Sequence, residues 1–321
     1  SKSVNIKTIL IIASVGVALG AITSSGMMEV ARKGIFNPSQ FYFNEIMFIF
    51  MAVMITDILL LDVFNSLGMP TSTTVSIVFE LLGAAVAMAL IKISNNGEDL
   101  SEVGKYINSA TALLIISGIL LSVFIAFTVG AIVQFLSRLL YSFQFDKKRN
   151  YINAIFGGFA ITAITYFIFV KGMKGTPFYD DVKHLIEGRT FEIILYGFVF
   201  WAILSQLLIM VFKVNILKFI VIIGTFSLAM AFAGNDLVNF IGVPIAALNS
   251  WQEWSSQDPA NFIAANEFSM GILAKKVPSN PWLLLLAGGI MVVTLWFSKK
   301  AKTVIETGIN LSRQGEGHEK F

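Results

Sequence analysis

Four consecutive hydroxyl side chains, Thr71, Ser72, Thr73 and Thr74, follow Pro70 and open the apolar stretch "GMPTSTTVSIVFELLGAAVAMAL" (68–90). A proline fits the first turn of a helix, where its missing N–H costs nothing. The residues after it then present backbone N–H groups and hydroxyls at the positive end of a helix dipole, an arrangement that binds anions, phosphate above all. The same residues also suit an N-cap with Ser/Thr packing between helices. A second polar stretch, "MAFAGNDLVNFIGVPIAAL" (230–248), interrupts an apolar run with Gly234, Asn235, Asp236 and Asn239, then Gly242 and Pro244. Asn235, Asp236 and Asn239 offer hard oxygen ligands, and a helix broken at Gly234 would free backbone carbonyls as well. That set suits a sodium ion, whereas a protonatable Asp236 suits a proton. The bland alternative is a buried Asp hydrogen-bonded to a neighbouring helix.

Two further carboxylates stand near the hydroxyl cluster. In "MITDILLLDVFNSLG" (54–68) Asp57 lies deep in its segment and is an ion-site or proton-site candidate, whereas Asp62 lies near the segment end, within reach of water. Glu80 follows Thr73 by seven residues and Ser76 by four, on one helical face with both. A carboxylate there repels phosphate unless it is protonated or paired with a cation; a structural hydrogen bond is the other reading. Gln134 and Gln206 are lone polar residues in apolar helices and read as contacts between helices. The 251–280 stretch, with Trp251 and Trp254, reads as an interfacial or external loop without a functional signal.

These residues must be positioned by membrane helices. The chain has 321 residues, is 56% hydrophobic and only 13% charged, against roughly 25% charged in soluble domains. Apolar runs at Thr8–Met28, Phe41–Phe64, Ser109–Tyr141, Tyr151–Val170, Phe191–Phe212, Ile216–Ala233 and Trp282–Ser298 approach or exceed the roughly 20 residues that a spanning helix needs. The class is all-α, polytopic and membrane-integral. With no cysteine and only His184 and His318, disulfides, thiolate chemistry and His-based metal or nucleophile sites have little material. The net charge of +3 makes no case for nucleic acid, and no activated nucleophile is visible, so an enzyme is not expected. No secretory signal stands out, and the chain starts on Ser1 without Met, which reads as a cut or processed end.

Short basic connections, "FDKKRN" (145–150), Lys213/Lys218 and "KKAK" (299–302), face the cytoplasm by the positive-inside rule; Arg32 and Lys33 run against it. Under that orientation "ASVGVALGAITSSGMMEVARKGI" (13–35) points outward and "AGGIMVVTLWFSKKAKTVIETGI" (287–309) inward. Aligned without gaps, they match at Ala13/Ala287, Ser24/Ser298, Val30/Val304, Gly34/Gly308 and Ile35/Ile309. Related segments of opposite orientation are what an inverted-repeat transporter contains, with its site near the midplane; shared apolar composition is the other source of such matches.

"AGNDLVN" (233–239) and "PTSTTVS" (70–76), with "SSGMMEVARKGI" (24–35) and "VKGMKG" (170–175), resemble the inorganic phosphate transporter (PiT) family over nearly the whole chain. The family carries G-A-N-D-V-A-N and P-[TV]-S-T-T motifs in each of two inverted repeats. Here alanine and glycine are exchanged at Ala233–Gly234, and Val75 stands where many members have histidine. Only one copy of each motif is present, so the resemblance implies the central part of a longer transporter. Residues 1–95 would be the remainder of the first repeat, 96–212 middle transmembrane helices, and 213–321 the start of the second repeat. Broken or re-entrant helices are implied as well.

The implied function is import of inorganic phosphate by symport with sodium or protons, without a further cofactor. Thr71, Ser72, Thr73, Thr74 and Asn235 would contact phosphate, and Asp236, Asn235 and Asn239 the coupling cation. A homodimer in a bacterial inner membrane is implied by resemblance alone. Another oxyanion such as sulfate, a channel, or a non-transporting membrane subunit are the competing expectations.

Overall fold

Apolar side chains recur every third or fourth residue at Ile46, Ile49, Phe50 and Val53, and each is almost fully enclosed, the spacing of one helical face. The computed structural model describes residues 4–23, 34–140, 150–169, 188–274 and 281–311. Its helices are α1 (Ile6–Thr23), α2 (Phe43–Ser66), α3 (Thr73–Asn96), α4 (Val103–Tyr106), α5 (Ser109–Leu140), α6 (Asn150–Phe167), α7 (Thr190–Phe212), α8 (Ile216–Ser255), α9 (Pro281–Phe297) and α10 (Lys299–Leu311). Among the described residues, five helices are long and apolar enough to cross a membrane, or six if α9 and α10, bent by 67° at Ser298, form one span. "SSGMMEVARK" (24–33), residues 145–149, "VKGMKG" (170–175), His184 and His318 lie outside the described residues.

The long helix α8 is the hub, packing on α1, α2, α3, α6, α7 and α9. Its closest neighbour is α1, and the reason is in the sequence. Gly16 and Gly20 sit one turn apart, so two backbones can approach without side chains between them. A Cβ on Gly16 would lie 2.6 Å from the Phe226 carbonyl oxygen and 2.9 Å from Ala229 Cβ. Helix α9 packs on the other flank of α1, running antiparallel to it. Trp296 Nε1 donates to Ser14 Oγ at 2.8 Å, and Gly288 abuts Ala21 two turns further along. The parts of the two matching segments that lie in α1 and α9 are therefore adjacent and opposite in direction. Helices α6 and α7 form a second close pair, in which Gly157 faces Ser205 and Gly158 faces the Ala202 backbone. The apolar side chains of α5 point largely outward.

Helix α8 corrects one expectation. It continues through Gly234 and on past Pro244 to Ser255 as a single helix. Gly234 does not break it because this turn is part of the α1 interface: Ala233 is buried, and the Cβ position of Gly234 lies 3.6 Å from the Gly20 carbonyl oxygen. A Cβ there would meet that oxygen at ordinary contact distance, so the position sits in the packed helix without strain. Pro244 removes the N–H that would bond the Phe240 carbonyl, so the interruption of backbone pairing falls there instead.

The stretch after residue 251 is also more than a loop. Trp254, still on α8, stacks on Phe43 at the start of α2, ring centres 4.8 Å apart. Beyond it, Met270–Ala274 packs on Pro38–Gln40 as two short 3-10 turns. Phe43 N–H donates to the Phe268 carbonyl at 2.9 Å and Met270 N–H to the Phe41 carbonyl at 3.1 Å. Phe41 is enclosed between Phe36 and Tyr106. Lys92 of α3 completes this cap: its Nζ pairs with Glu45 at 2.8 Å, donates to the Gln40 carbonyl at 2.9 Å and sits 3.9 Å above the Tyr42 ring.

Candidate functional site

The hydroxyl cluster lies at the far end of the α2–α3 hairpin from this cap. Gly68 allows the turn, adopting φ +68° while fitting against Thr303 and Thr307 of α10. The chain is irregular from Met69 to Thr71 and extended at Ser72, and α3 starts at Thr73. Pro70 thus precedes the helix and does not occupy its first turn. The cap is Ser72, whose Oγ accepts the Val75 N–H at 3.4 Å. This cap requires extended backbone at Ser72, which moves the helix start three residues beyond Pro70, where the proline alone suggests it.

A groove of about 580 Å³ runs beside this helix start, between α2 and α3. Its polar wall is Thr56, Thr71, Ser72, Ser76 and Glu80; its apolar wall includes Leu60, Phe64 and Phe79. Thr71 and Ser72 therefore share one cavity with Glu80, whereas Thr73 and Thr74 do not line it. Ser76 Oγ donates to Glu80 Oε1 at 2.7 Å, and Glu80 Oε2 is buried without a hydrogen-bond partner. Opposite them Asp57 continues the buried stripe of α2 and is only 5% exposed. It lies close enough to Ser76 and Glu80 to feel both. Two carboxylates and one hydroxyl proton thus meet between the helices. Asp62, by contrast, pairs with Lys300 of α10 at the surface, as its position near the segment end suggested.

The Asn/Asp motif sits on the neighbouring helix. The side chains of Asn235, Asp236 and Asn239 lie outside the described residues, but their backbone is helical. Because α8 and α2 run antiparallel from the Phe43–Trp254 stack, equal rise along both brings α8 near Phe240 level with Asp57. The two motifs, far apart in sequence, thus come to adjoining helices at similar depth. Among the described residues, no group of three or more His, Cys, Asp or Glu side chains is disposed to hold a metal ion. An oxygen site for an alkali cation needs no such group, being served by carboxylate, amide, hydroxyl and carbonyl oxygens.

Comparison with known proteins gives three findings. The profile of a phosphate transporter family matches residues 1–308. A Pyrococcus abyssi protein bearing the name of a phosphate permease is 28% identical over 269 residues, covering 81% of this chain. The chain spans 58% of that relative's length. A solved structure titled the sodium-dependent phosphate transporter superposes with a TM-score of 0.67 at 20% identity, covering 96% of this chain and 70% of that one. At that identity the likeness is one of fold.

Proposed function

The chain belongs to the phosphate transporter family, and on that footing we propose that it is the central part of a secondary transporter moving inorganic phosphate together with sodium. The observation that carries this reading is the Ser72-capped start of α3, with Thr71 and Ser72 on the wall of an open groove. Hydroxyls and helix-start N–H groups are neutral donors suited to a tetrahedral oxyanion. In a membrane they stay only where they line a cavity or find partners.

A phosphate dianion drawn to this depth needs compensating positive charge. Among the described residues the groove wall supplies none; its one ionisable group is the acidic Glu80. The charge must arrive with the substrate, which is the physical reason for symport. In this reading Asp236, Asn235 and Asn239 bind the coupling ion, and Asn235 also reaches phosphate. Thr73 and Thr74 do not line the groove and contribute through the helix start. Cargo bound to one face of the bundle and released at the other follows if the ion and phosphate together bind the two states unequally.

The test is equilibrium binding of labelled phosphate to the purified full-length protein in sodium, with sulfate as competitor. The expected result is saturable binding that sulfate displaces poorly and that Thr71→Ala and Ser72→Ala each weaken by about tenfold, the worth of a lost hydrogen bond to a charged group. Equal competition by sulfate would make the substrate a general oxyanion. Unchanged affinity in both variants would remove the groove from the site.

A further inference from the structure

Between α2 and α3 the supply of proton donors does not match the supply of carboxylate oxygens. Ser76 is buried, and its one hydroxyl proton goes to Glu80 Oε1 at 2.7 Å. Glu80 Oε2 is buried with no partner. Asp57, 5% exposed, faces the same hydroxyl, and among the described residues nothing else donates to it. The cation of α3, Lys92, is three turns away and engaged in the cap by Glu45 and Gln40. Lys300 is held by Asp62.

Two carboxylates side by side in a low-dielectric interior are unfavourable unless a positive charge joins them. Here the described residues supply none, whereas the groove that Glu80 lines supplies a way in. The available ligands are all oxygens, which favours a hard cation. They are also few, and divalent calcium calls for six to eight oxygens.

We propose that Asp57, Ser76 and Glu80 form a site for an alkali cation of the sodium class, and that its occupation is the condition for an oxyanion entering the adjoining groove. The second half rests on the reading of the groove as an oxyanion site; the first half does not. An empty site leaves Glu80 negative on the wall that carries Thr71 and Ser72, and a phosphate is repelled. A filled site removes that repulsion. The two ligands then bind with positive coupling, and reciprocity requires phosphate to tighten the cation by the same factor.

The experiment is equilibrium binding of radiolabelled sodium to the purified full-length protein without phosphate, followed by phosphate titrations at several sodium concentrations. Asp57→Asn and Glu80→Gln keep side-chain volume while removing charge, and each is expected to bind one sodium ion fewer than the parent. Ser76→Ala retains both carboxylates and is expected to weaken sodium roughly tenfold; it also serves as the second probe if a carboxylate variant does not fold. Glu80→Gln should in addition bind phosphate with less dependence on sodium. Unchanged sodium isotherms in folded variants would overturn the site, and this includes the case in which the two carboxylates share a proton. Loss of a sodium ion in the variants, with no phosphate bound even by the parent, would leave the cation site standing and refute the proposed function instead.

Discussion

Replacing Gly16 by alanine should loosen the helix bundle, whereas the same change at Gly130 should tighten it. On α1, the new Cβ would stand 2.6 Å from the Phe226 carbonyl oxygen and 2.9 Å from Ala229 Cβ. Comfortable contacts between heavy atoms begin near about 3.5 Å, so α1 and α8 must separate locally by close to ~1 Å. Overpacking of this kind costs about 1–3 kcal/mol, partly offset by the roughly 0.5–1 kcal/mol that alanine gains over glycine within a helix. The net expectation is destabilisation by up to about 2.5 kcal/mol, on combining those two ranges. Gly130 on α5 has nothing within 4 Å of its Cβ position, so only the helix term remains and the change should stabilise by up to ~1 kcal/mol. Thermal denaturation in detergent, followed by the monodisperse fraction on size exclusion, would show shifts of a few degrees in opposite directions. Shifts of the same sign would refute the claim that glycine is required for the α1–α8 approach.

Three smaller predictions concern the ends of the bundle. Lys92→Met leaves Glu45 without its ion pair in a site where the two side chains are only 13% and 17% exposed. The loss should be about 2–3 kcal/mol, below the 3–5 of a fully buried pair, and Glu45→Gln in the same chain should restore part of it in a thermal melt. Asp62→Asn breaks a pair whose side chains are 60% and 50% exposed, so denaturation should move by less than ~1 kcal/mol. Burial, then the nearby charge of Glu98, hold the Tyr106 phenol above its usual 10.0. Its neutral form is favoured in the fold, so this contribution to the cap is intact below pH 10 and is lost as pH rises through the higher folded value. In a tyrosinate absorbance titration, Tyr106→Phe should remove the component that ionises late.

Much of the architecture is legible in the residues. The spans at α2, α5, α7 and the first part of α8 follow from unbroken apolar runs, since a membrane helix must be apolar for its whole length, and such runs also mark α1, α6 and α9. The start of α3 is legible as well, because Ser72 is a strong cap, although Pro70 drew the expected start forward. What the sequence hides is what neighbours decide. Gly234 looks like a helix breaker by itself, and only the face of α1 explains why it packs instead. Trp254 looks like part of an interfacial loop until Phe43 is seen beneath it. Asp57 and Glu80 stand on different helices, and nothing in their spacing says that one serine hydroxyl lies between them. That the groove takes in Thr71 and Ser72 but not Thr73 and Thr74 is likewise set by the facing surface of α2, which the motif does not contain.

The central claim is that phosphate moves with a cation held by Asp236. Labelled phosphate uptake into proteoliposomes bearing the full-length protein, driven by an imposed sodium gradient and then by a proton gradient, tests this directly with Asp236→Asn alongside. The expected result is sodium-driven accumulation that this substitution abolishes. Accumulation under the sodium gradient that survives in a folded Asp236→Asn protein would contradict it.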